Sequence, residues 1–209
     1  IGSNALAVQD AGADAYNIAI GHNAGTAVTT GANNTFVGGL AGDATTIGSN
    51  NVALGKNALT ANTTASSNTA LGFGSMTTNS TGAENTASGR NSLYFNTTGS
   101  NNVAVGMQAL LNNTTADNNT AVGYQAGYSN TTGTNLTAIG YKALYANTTG
   151  FDNNAFGMQT LDDNTTGSDN NAFGSFALGA NTTGTGNTAM GHGTLDANTT
   201  ADANTGFGA

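Results

Sequence analysis

The sequence predicts an all-β protein, a parallel β-solenoid (β-roll) that winds about 12 coils of a 17-residue repeat. First, a glycine recurs with a 17-residue period and without a slip. Second, the residue before this glycine is apolar in every repeat but one, and third, an asparagine stands four positions before it in every repeat but one. A disordered chain would not keep such a register. We call these the anchor glycines: Gly21, Gly38, Gly55, Gly72, Gly89, Gly106, Gly123, Gly140, Gly157, Gly174, Gly191 and Gly208.

The length and composition of the repeat favour a β-solenoid over helical repeats. Helix-pair repeats need roughly 33 to 47 residues, and Gly, Asn and Thr are weak helix formers. At about 3.3 Å per residue, one repeat traces a closed path of about 56 Å. We therefore expect a three-sided coil with sides of about four or five residues. Gly and Asn are expected at the corners because they tolerate positive φ.

Stacked coils place equivalent residues directly above one another, about 4.8 Å apart. The apolar residue before each anchor glycine and the leucine four positions after it, such as Val105 and Leu110, are predicted to form two inner columns. The nearly constant alanine two positions before the anchor, such as Ala104, indicates a narrow interior. The asparagine columns are predicted to form amide ladders, as in stacked cross-β arrays.

The repeats define the predicted domain organisation. Residues 1–16 are predicted to be an irregular N-terminal edge or cap, because the distance from Gly2 to Gly21 exceeds the period of the anchor glycines by two positions. Residues 17–209 are predicted to form a single β-solenoid repeat array, a fragment of a longer fibre. The first two repeats lack the Asn-Thr-Thr triplet of the later ones, as expected for terminal units of an array.

Composition excludes several classes of function. Charged residues make up 7% of the chain, and 3 Lys and Arg against 11 Asp and Glu give a net charge of −8, which argues against a nucleic-acid partner. The absence of Cys excludes thiolate metal sites. No Ser, His and Asp recur near each other, so we predict no enzyme, no catalytic residue, no cofactor and no metal site. The Lys-poor, Thr- and Asn-rich composition favours an extracellular, cell-surface or virion location, and no apolar run predicts membrane insertion.

Nine consecutive repeats carry Asn-Thr-Thr or Asn-Ser-Thr seven positions after the anchor glycine. This pattern fits a hydrogen-bonded corner ladder, a row of glycan acceptors or an ice-binding threonine array. N-glycans on every coil would crowd at about 4.8 Å, and adjacent threonines face opposite sides of a strand. The ladder or glycan-acceptor residues are Asn62, Asn79, Asn96, Asn113, Asn130, Asn147, Asn164, Asn181 and Asn198, with Thr64, Thr98, Thr115, Thr132, Thr149, Thr166, Thr183 and Thr200.

Aromatic and acidic residues also fall in columns. Tyr94, Tyr128 and Tyr145 lie five positions after their anchor glycines and are predicted contact aromatics, for a sugar or for a partner chain. Asp152 and Asp169 share a column one repeat apart. Stacked carboxylates are Ca²⁺ ligands in principle, but no Asp-x-Asp-x-Asp-Gly loop occurs, which favours a solvated acidic edge.

The segments Asn119–Ala126 and Thr137–Leu144 read NTAVGYQA and TAIGYKAL. They resemble the Ala-Ile-Gly repeats of trimeric autotransporter adhesin heads. They resemble more closely the Asn-Thr-Ala-Ile-Gly-Tyr-Gln-Ala-Leu repeats of bacteriophage tail fibres and related bacterial surface proteins. The resemblance extends from about Asn17 to Ala209, and it implies a left-handed parallel β-roll and a homotrimer. Repeats of adhesin heads are shorter than the repeat found here, so the Asn-Thr-Thr segment is expected to be an added corner.

The sequence therefore predicts a non-enzymatic structural or adhesive segment of an extracellular fibre, a surface adhesin or a viral tail fibre. Such a segment acts as a stiff spacer and a contact surface. Its expected partners are copies of itself, as a homotrimer or a filament, and a carbohydrate or host-surface receptor. One alternative is a self-assembling, glycosylated extracellular filament subunit, and a second is an ice-binding solenoid.

Overall fold

The computed structural model describes residues 2–9 and 15–208, and these residues form a β-solenoid without a helix. Twelve three-residue strands form one parallel sheet in sequence order. Each strand ends just before an anchor glycine, and we number the coils by their strands. The strands are β1 (Ile18–Ile20), β2 (Thr35–Val37), β3 (Val52–Leu54), β4 (Thr69–Leu71), β5 (Thr86–Ser88), β6 (Val103–Val105), β7 (Thr120–Val122), β8 (Thr137–Ile139), β9 (Asn154–Phe156), β10 (Asn171–Phe173), β11 (Thr188–Met190) and β12 (Thr205–Phe207).

Neighbouring strands pair in exact 17-residue register along the whole sheet. Ala104 of β6 pairs with Ala121 of β7, and the same shift relates all the other strand pairs. With about 4.8 Å between parallel strands, the twelve strands span about 53 Å. The predicted fold class, a parallel β-solenoid with 17 residues per coil, is confirmed.

Only one side of each coil is a β-strand, so the prediction of straight sides of four or five residues was wrong. The rest of the coil turns every few residues because non-glycine residues adopt positive φ, as at Gln108 (60°), Leu110 (49°) and Asn118 (61°). Backbone hydrogen bonds between coils nevertheless continue through these turns. The N–H of Leu110, for example, donates to the carbonyl of Ala126 at 2.9 Å.

The interior contains small and branched side chains from facing walls of the coil. The middle residue of strands β1 to β11, such as Ala104, points inward and is buried, and the leucine column represented by Leu110 and Leu144 packs opposite to it. The prediction that the residue before the anchor glycine is also internal was wrong. Leu54 is 50% exposed and Met190 is 45% exposed, because side chains alternate across a strand and the alanine takes the inner position.

Coil 2 shows how little space the interior offers. Phe36 replaces the strand alanine and is fully buried. The leucine position is correspondingly glycine in coils 1 and 2, and a Cβ on Gly42 would lie 2.5 Å from the Phe36 ring. One large residue therefore requires small residues opposite, as close packing demands.

The anchor glycines are required where successive coils approach most closely. Gly106 has a φ of +130°, and a Cβ added to it would lie 2.4 Å from the carbonyl oxygen of Gly123. The same geometry recurs at the other internal anchors. A side chain at this position would push the coils apart, which explains why the 17-residue glycine period has no exception.

Two columns of buried asparagines form amide ladders inside the coil. Asn102, four positions before its anchor, donates to Ala116 O at 2.9 Å and to Asn85 Oδ1 at 3.1 Å, and its own Oδ1 accepts from Asn119 N at 2.9 Å. In the second ladder, Asn96 donates to Asn79 Oδ1 at 2.7 Å. These amides satisfy the backbone groups that the corners turn inward, which would otherwise be costly to bury.

The described N-terminal residues 2–9 stack on the first coil. A Cβ on Gly2 would lie 2.4 Å from Gly21 O, and Asn23 N donates to Ser3 O at 2.9 Å. Gly2 therefore occupies the place of an anchor despite its longer spacing from Gly21. Residues 1 and 10–14 of the predicted N-terminal edge, and residue 209, lie outside the described residues, and the boundary at residue 16 stays a prediction.

Replacing an anchor glycine should disrupt the stacking, whereas replacing a neighbouring glycine should not. We expect Gly106→Ala to lower the free energy of unfolding by about 3 kcal/mol or more, because it combines positive φ with a backbone clash. Gly39→Ala is the control, since its Cβ would approach no atom closer than 3.9 Å. Urea unfolding followed by circular dichroism compares the two, and equal stability of both variants would contradict the packing described.

Breaking the amide ladder should also be costly. We expect Asn102→Ala to destabilise the protein by about 1–3 kcal/mol, because the buried Asn119 N loses its acceptor and Ala116 O keeps only the hydrogen bond from Asn113 Nδ2. Thr98→Ala serves as the surface control and should change stability by less than about 0.5 kcal/mol. A mild effect of Asn102→Ala in the same urea titration would show that the ladder contributes little.

Candidate functional site

An apolar strip runs along the outside of the solenoid. It consists of the apolar residues directly before and directly after the anchor glycines, which point outward because the strand alanine points inward. It is broken in coil 5, where Ser88 and Arg90 hold these positions. Rings stack along it, with centroids 4.8 Å apart for Phe156 and Phe173 and 5.5 Å apart for Tyr124 and Tyr141. Its exposed members are Ile20, Leu54, Phe73, Val105, Tyr124, Ile139, Tyr141, Met158, Phe173, Met190 and Phe207.

The apolar strip is about as large as the largest apolar patch that a monomeric protein usually exposes. It lies along about 53 Å of stacked strands, with a break at coil 5, at a width on the order of 10 Å. The resulting area, roughly 500 Å², is in the upper part of the range for the largest patch on a monomeric protein. Patches of this size on monomeric proteins are often functional surfaces.

Charges are segregated to opposite edges of the strand face. Lys56 and Arg90 directly follow their anchor glycines, on one edge. Glu84, Asp152 and Asp169 lie five positions before their anchors, on the other edge. Lys56 and Arg90 thus form a basic edge within the outer column of the apolar strip, and the three carboxylates form an acidic edge across the strand face.

The three residues of each Asn-Thr-Thr triplet lie at three different depths, from the interior of the coil to its surface. The asparagines from Asn62 to Asn181 are fully buried in the second ladder. The first threonine donates its hydroxyl to the next coil, as Thr97 does to Thr114 O at 2.9 Å. The second threonine, such as Thr98, is exposed. Buried, hydrogen-bonded amides conflict with the prediction of glycans on these asparagines, whereas the second threonines present free hydroxyls.

The three predicted contact tyrosines are only half exposed. Tyr128 and Tyr145 stack with ring centroids 5.1 Å apart, and Lys142 Nζ lies 4.8 Å from the Tyr145 centroid. Tyr94 packs edge-to-face on Phe95, with centroids 4.7 Å apart and planes at 77°. Phe95 is 44% exposed, and it is the ring in this group that solvent reaches most freely.

A groove of about 560 Å³ opens beside Phe95. Its walls come from coils 4 to 7, and its lining residues are Thr78, Phe95, Thr97, Asn112, Thr114, Ser129 and Thr131. The sequence analysis singled out the tyrosine column next to it but missed the groove. The available signal was the loss of alanine six positions after the anchor in four successive repeats, beginning at Thr78.

Two carboxyl groups have altered acidity. Burial raises the pKa of Asp43. Burial also raises the pKa of Asp162, an effect that a hydrogen bond from Gln159 Nε2 at 3.1 Å and the charge of Lys142 partly oppose and the neighbouring Asp163 reinforces. Both carboxyls lie in the column five positions after the anchor, whose side chains are partly enclosed by adjacent coils.

The described residues contain no group of three or more His, Cys, Asp or Glu side chains placed to hold a metal ion. In the same part of the chain, no helix has the length and apolar character that crossing a membrane requires. Comparison of the chain with protein-family models, with curated proteins and with solved structures gives no match. The apolar strip, the threonine column and the groove beside Phe95 are thus the surfaces from which a function can be inferred.

The raised pKa of Asp162 predicts a pH-dependent penalty. The folded protein binds the Asp162 proton more tightly than the unfolded chain does. The protonated carboxyl therefore stabilises the fold fully below the ordinary pKa of 3.8, and this contribution is lost as the pH rises through the raised pKa of the folded protein. We expect Asp162→Asn to raise the melting temperature at neutral pH, with the gain disappearing toward pH 3.8. Asp196→Asn, at an exposed position of the same column, is the control. A pH-independent gain would contradict this explanation.

Proposed function

We propose that this chain is a non-enzymatic structural segment of an extracellular fibre, of the surface-adhesin or viral tail-fibre type, that associates with copies of itself. The observation that supports this most directly is the apolar strip, which lies along the strands from β1 to β12 with one break, at Ser88 and Arg90 in coil 5. A rod with one adhesive side is suited to bundling with like rods. Its remaining sides are free to present contacts to other molecules.

The hydrogen bonding supports a role as a stiff spacer. Each coil is joined to the next by strand pairing, by backbone bonds through the turns and by two amide ladders, as at Asn102 and Asn96. Bending the rod would require several of these bonds to lengthen in the same layer. A solenoid of this kind holds its ends at a fixed separation.

Periodicity favours a second copy of the chain as the partner of the apolar strip. Side chains such as Ile139 and Phe173 follow the spacing of the strands, about 4.8 Å. A second strip has the same spacing, so the two can interdigitate along their full length. A globular partner would match only a few coils. A homotrimer or a bundle that shares the strip would also enlarge a core that is otherwise only alanine and leucine thick.

The charged edges favour a parallel, in-register arrangement. Arg90 and Glu84 border the strand face of the same coil, on opposite edges. When two parallel copies face each other or follow each other around a common axis, the basic edge of one copy meets the acidic edge of the next. An antiparallel pair would bring like edges together, and like charges in contact oppose assembly.

Charges placed in the apolar strip should dissociate the assembly. We expect the double variant Ile139→Glu, Phe173→Glu to sediment as a monomer, because each buried carboxylate would lose its hydration. The wild-type chain should sediment as a dimer or larger species. Phe151→Glu is the matched control, since Phe151 is similarly exposed but lies six positions before its anchor, outside the strip.

Sedimentation velocity at several protein concentrations checks these expectations, and circular dichroism verifies that each variant keeps its fold. A wild-type chain that stays monomeric at its highest soluble concentration would refute self-association through the strip. Assembly that survives the double variant would show that a different surface holds the copies together.

A further inference from the structure

We propose that the groove beside Phe95 binds a neutral oligosaccharide. This inference goes beyond the proposed structural role. The two proposals are linked at one point: the groove must lie outside the apolar strip to stay open when copies associate. Its lining residues are six to eight positions after the anchor glycine, whereas the strip consists of the residues adjoining that glycine. A rod that associates through the strip would therefore keep the groove open to solvent.

Coils 4 to 7 depart locally from the repeat at one outer position. The residue six positions after the anchor glycine is alanine in coils 1 to 3 (Ala27, Ala44, Ala61) and again in coils 8, 10 and 11, where coil 9 has Asp163. In coils 4 to 7 it becomes Thr78, Phe95, Asn112 and Ser129. The same four coils form the groove. An array that repeats alanine at this position in six of its other seven coils thus carries four consecutive larger side chains, of which one is aromatic and three are polar.

Phe95 supplies the groove with an exposed aromatic surface. The Phe95 ring is 44% exposed and is held in place by the edge-to-face contact with Tyr94. An aromatic face that is fixed in orientation loses little entropy when an apolar surface packs on it. The C–H face of a sugar ring supplies such a surface, while its hydroxyls stay free for hydrogen bonds.

Polar groups line the groove beside the Phe95 ring. The Asn112 side-chain amide and the Ser129 hydroxyl make no hydrogen bond with any described residue, and they are therefore free both to donate and to accept. The hydroxyls of Thr97, Thr114 and Thr131 donate to carbonyls of the following coils at 2.9–3.1 Å, which leaves their oxygens as acceptors. Sugar hydroxyls pair with both kinds of group.

The charge of the groove and of the chain favours a neutral sugar over nucleic acids and anionic glycans, which also stack on aromatic rings. No charged side chain lines the groove, and the whole chain carries a net charge of −8. Single-stranded nucleic acids stack on aromatics but also require a basic channel for their phosphates. Anionic glycans face the same repulsion. The groove spans four coils, about 14 Å along the rod, and is long enough for more than one sugar unit.

The test uses the full chain and a panel of neutral hexasaccharides (cellohexaose, maltohexaose, mannohexaose, xylohexaose and hexa-N-acetylchitohexaose), with polygalacturonate as the anionic probe. Saturation-transfer NMR should detect binding of at least one neutral probe and none of polygalacturonate, and isothermal titration calorimetry then gives its Kd. We expect Phe95→Ala to weaken binding at least about tenfold and Phe95→Tyr to retain it. Phe151→Ala, which removes an exposed ring outside the groove, should leave the Kd unchanged.

Asn112→Ala provides a second variant that leaves the ring in place, and it too should weaken binding. The Ile139→Glu, Phe173→Glu variant separates this proposal from the proposed self-association, because a chain with an altered strip should still bind the sugar with the same Kd per site. Absence of binding to every neutral probe would overturn the proposal. So would preferential binding of polygalacturonate, or binding that Phe95→Ala and Asn112→Ala leave intact.

Discussion

Close backbone contact between successive coils at the anchor glycines is the constraint on which the structure depends. At Gly106 a single added methyl carbon would lie 2.4 Å from the next coil's carbonyl oxygen. The chain must therefore return to this point with a glycine once per turn, which gives every coil the same length. Exact return is what places like residues above like residues. The alanine column, the leucine column and the amide ladders all follow from it.

The short coil that this close contact imposes encloses only a thin interior. The space between the strand alanines and the leucine column is filled by side chains such as Ala104 and Leu110, and Phe36 fits only where the leucine positions become glycine. Backbone carbonyls at the corners accept hydrogen bonds from buried asparagine amides. Apolar residues that flank the anchor glycines have no room within and lie on the surface. The same constraint that builds the solenoid thus creates the strip through which we propose that copies associate.

The outer columns carry no such constraint and are free to vary from coil to coil. The residues directly after the anchor include Lys56, Phe73 and Tyr124, while the glycines beside them do not change. A binding site can therefore be added to a few coils without disturbing the stack. The groove around Phe95 has this character, since its neighbours depart from alanine only on the outer surface and the ladders beneath continue through Asn96 and Asn113.

Repetition in the amino-acid sequence was enough to establish the 17-residue period, the parallel register and the inner leucine column, because these features need only exact recurrence and one buried position per coil. The folded coil was needed to show which side of each strand faces inward. A three-residue strand whose members are all apolar, such as Val103–Val105, offers too short an alternation to show that Ala104 is inside. The groove was equally inaccessible, because its columns meet through turns in which Gln108 and Leu110 adopt positive φ. Neither residue type reveals that conformation in the sequence, since stacking between coils imposes it.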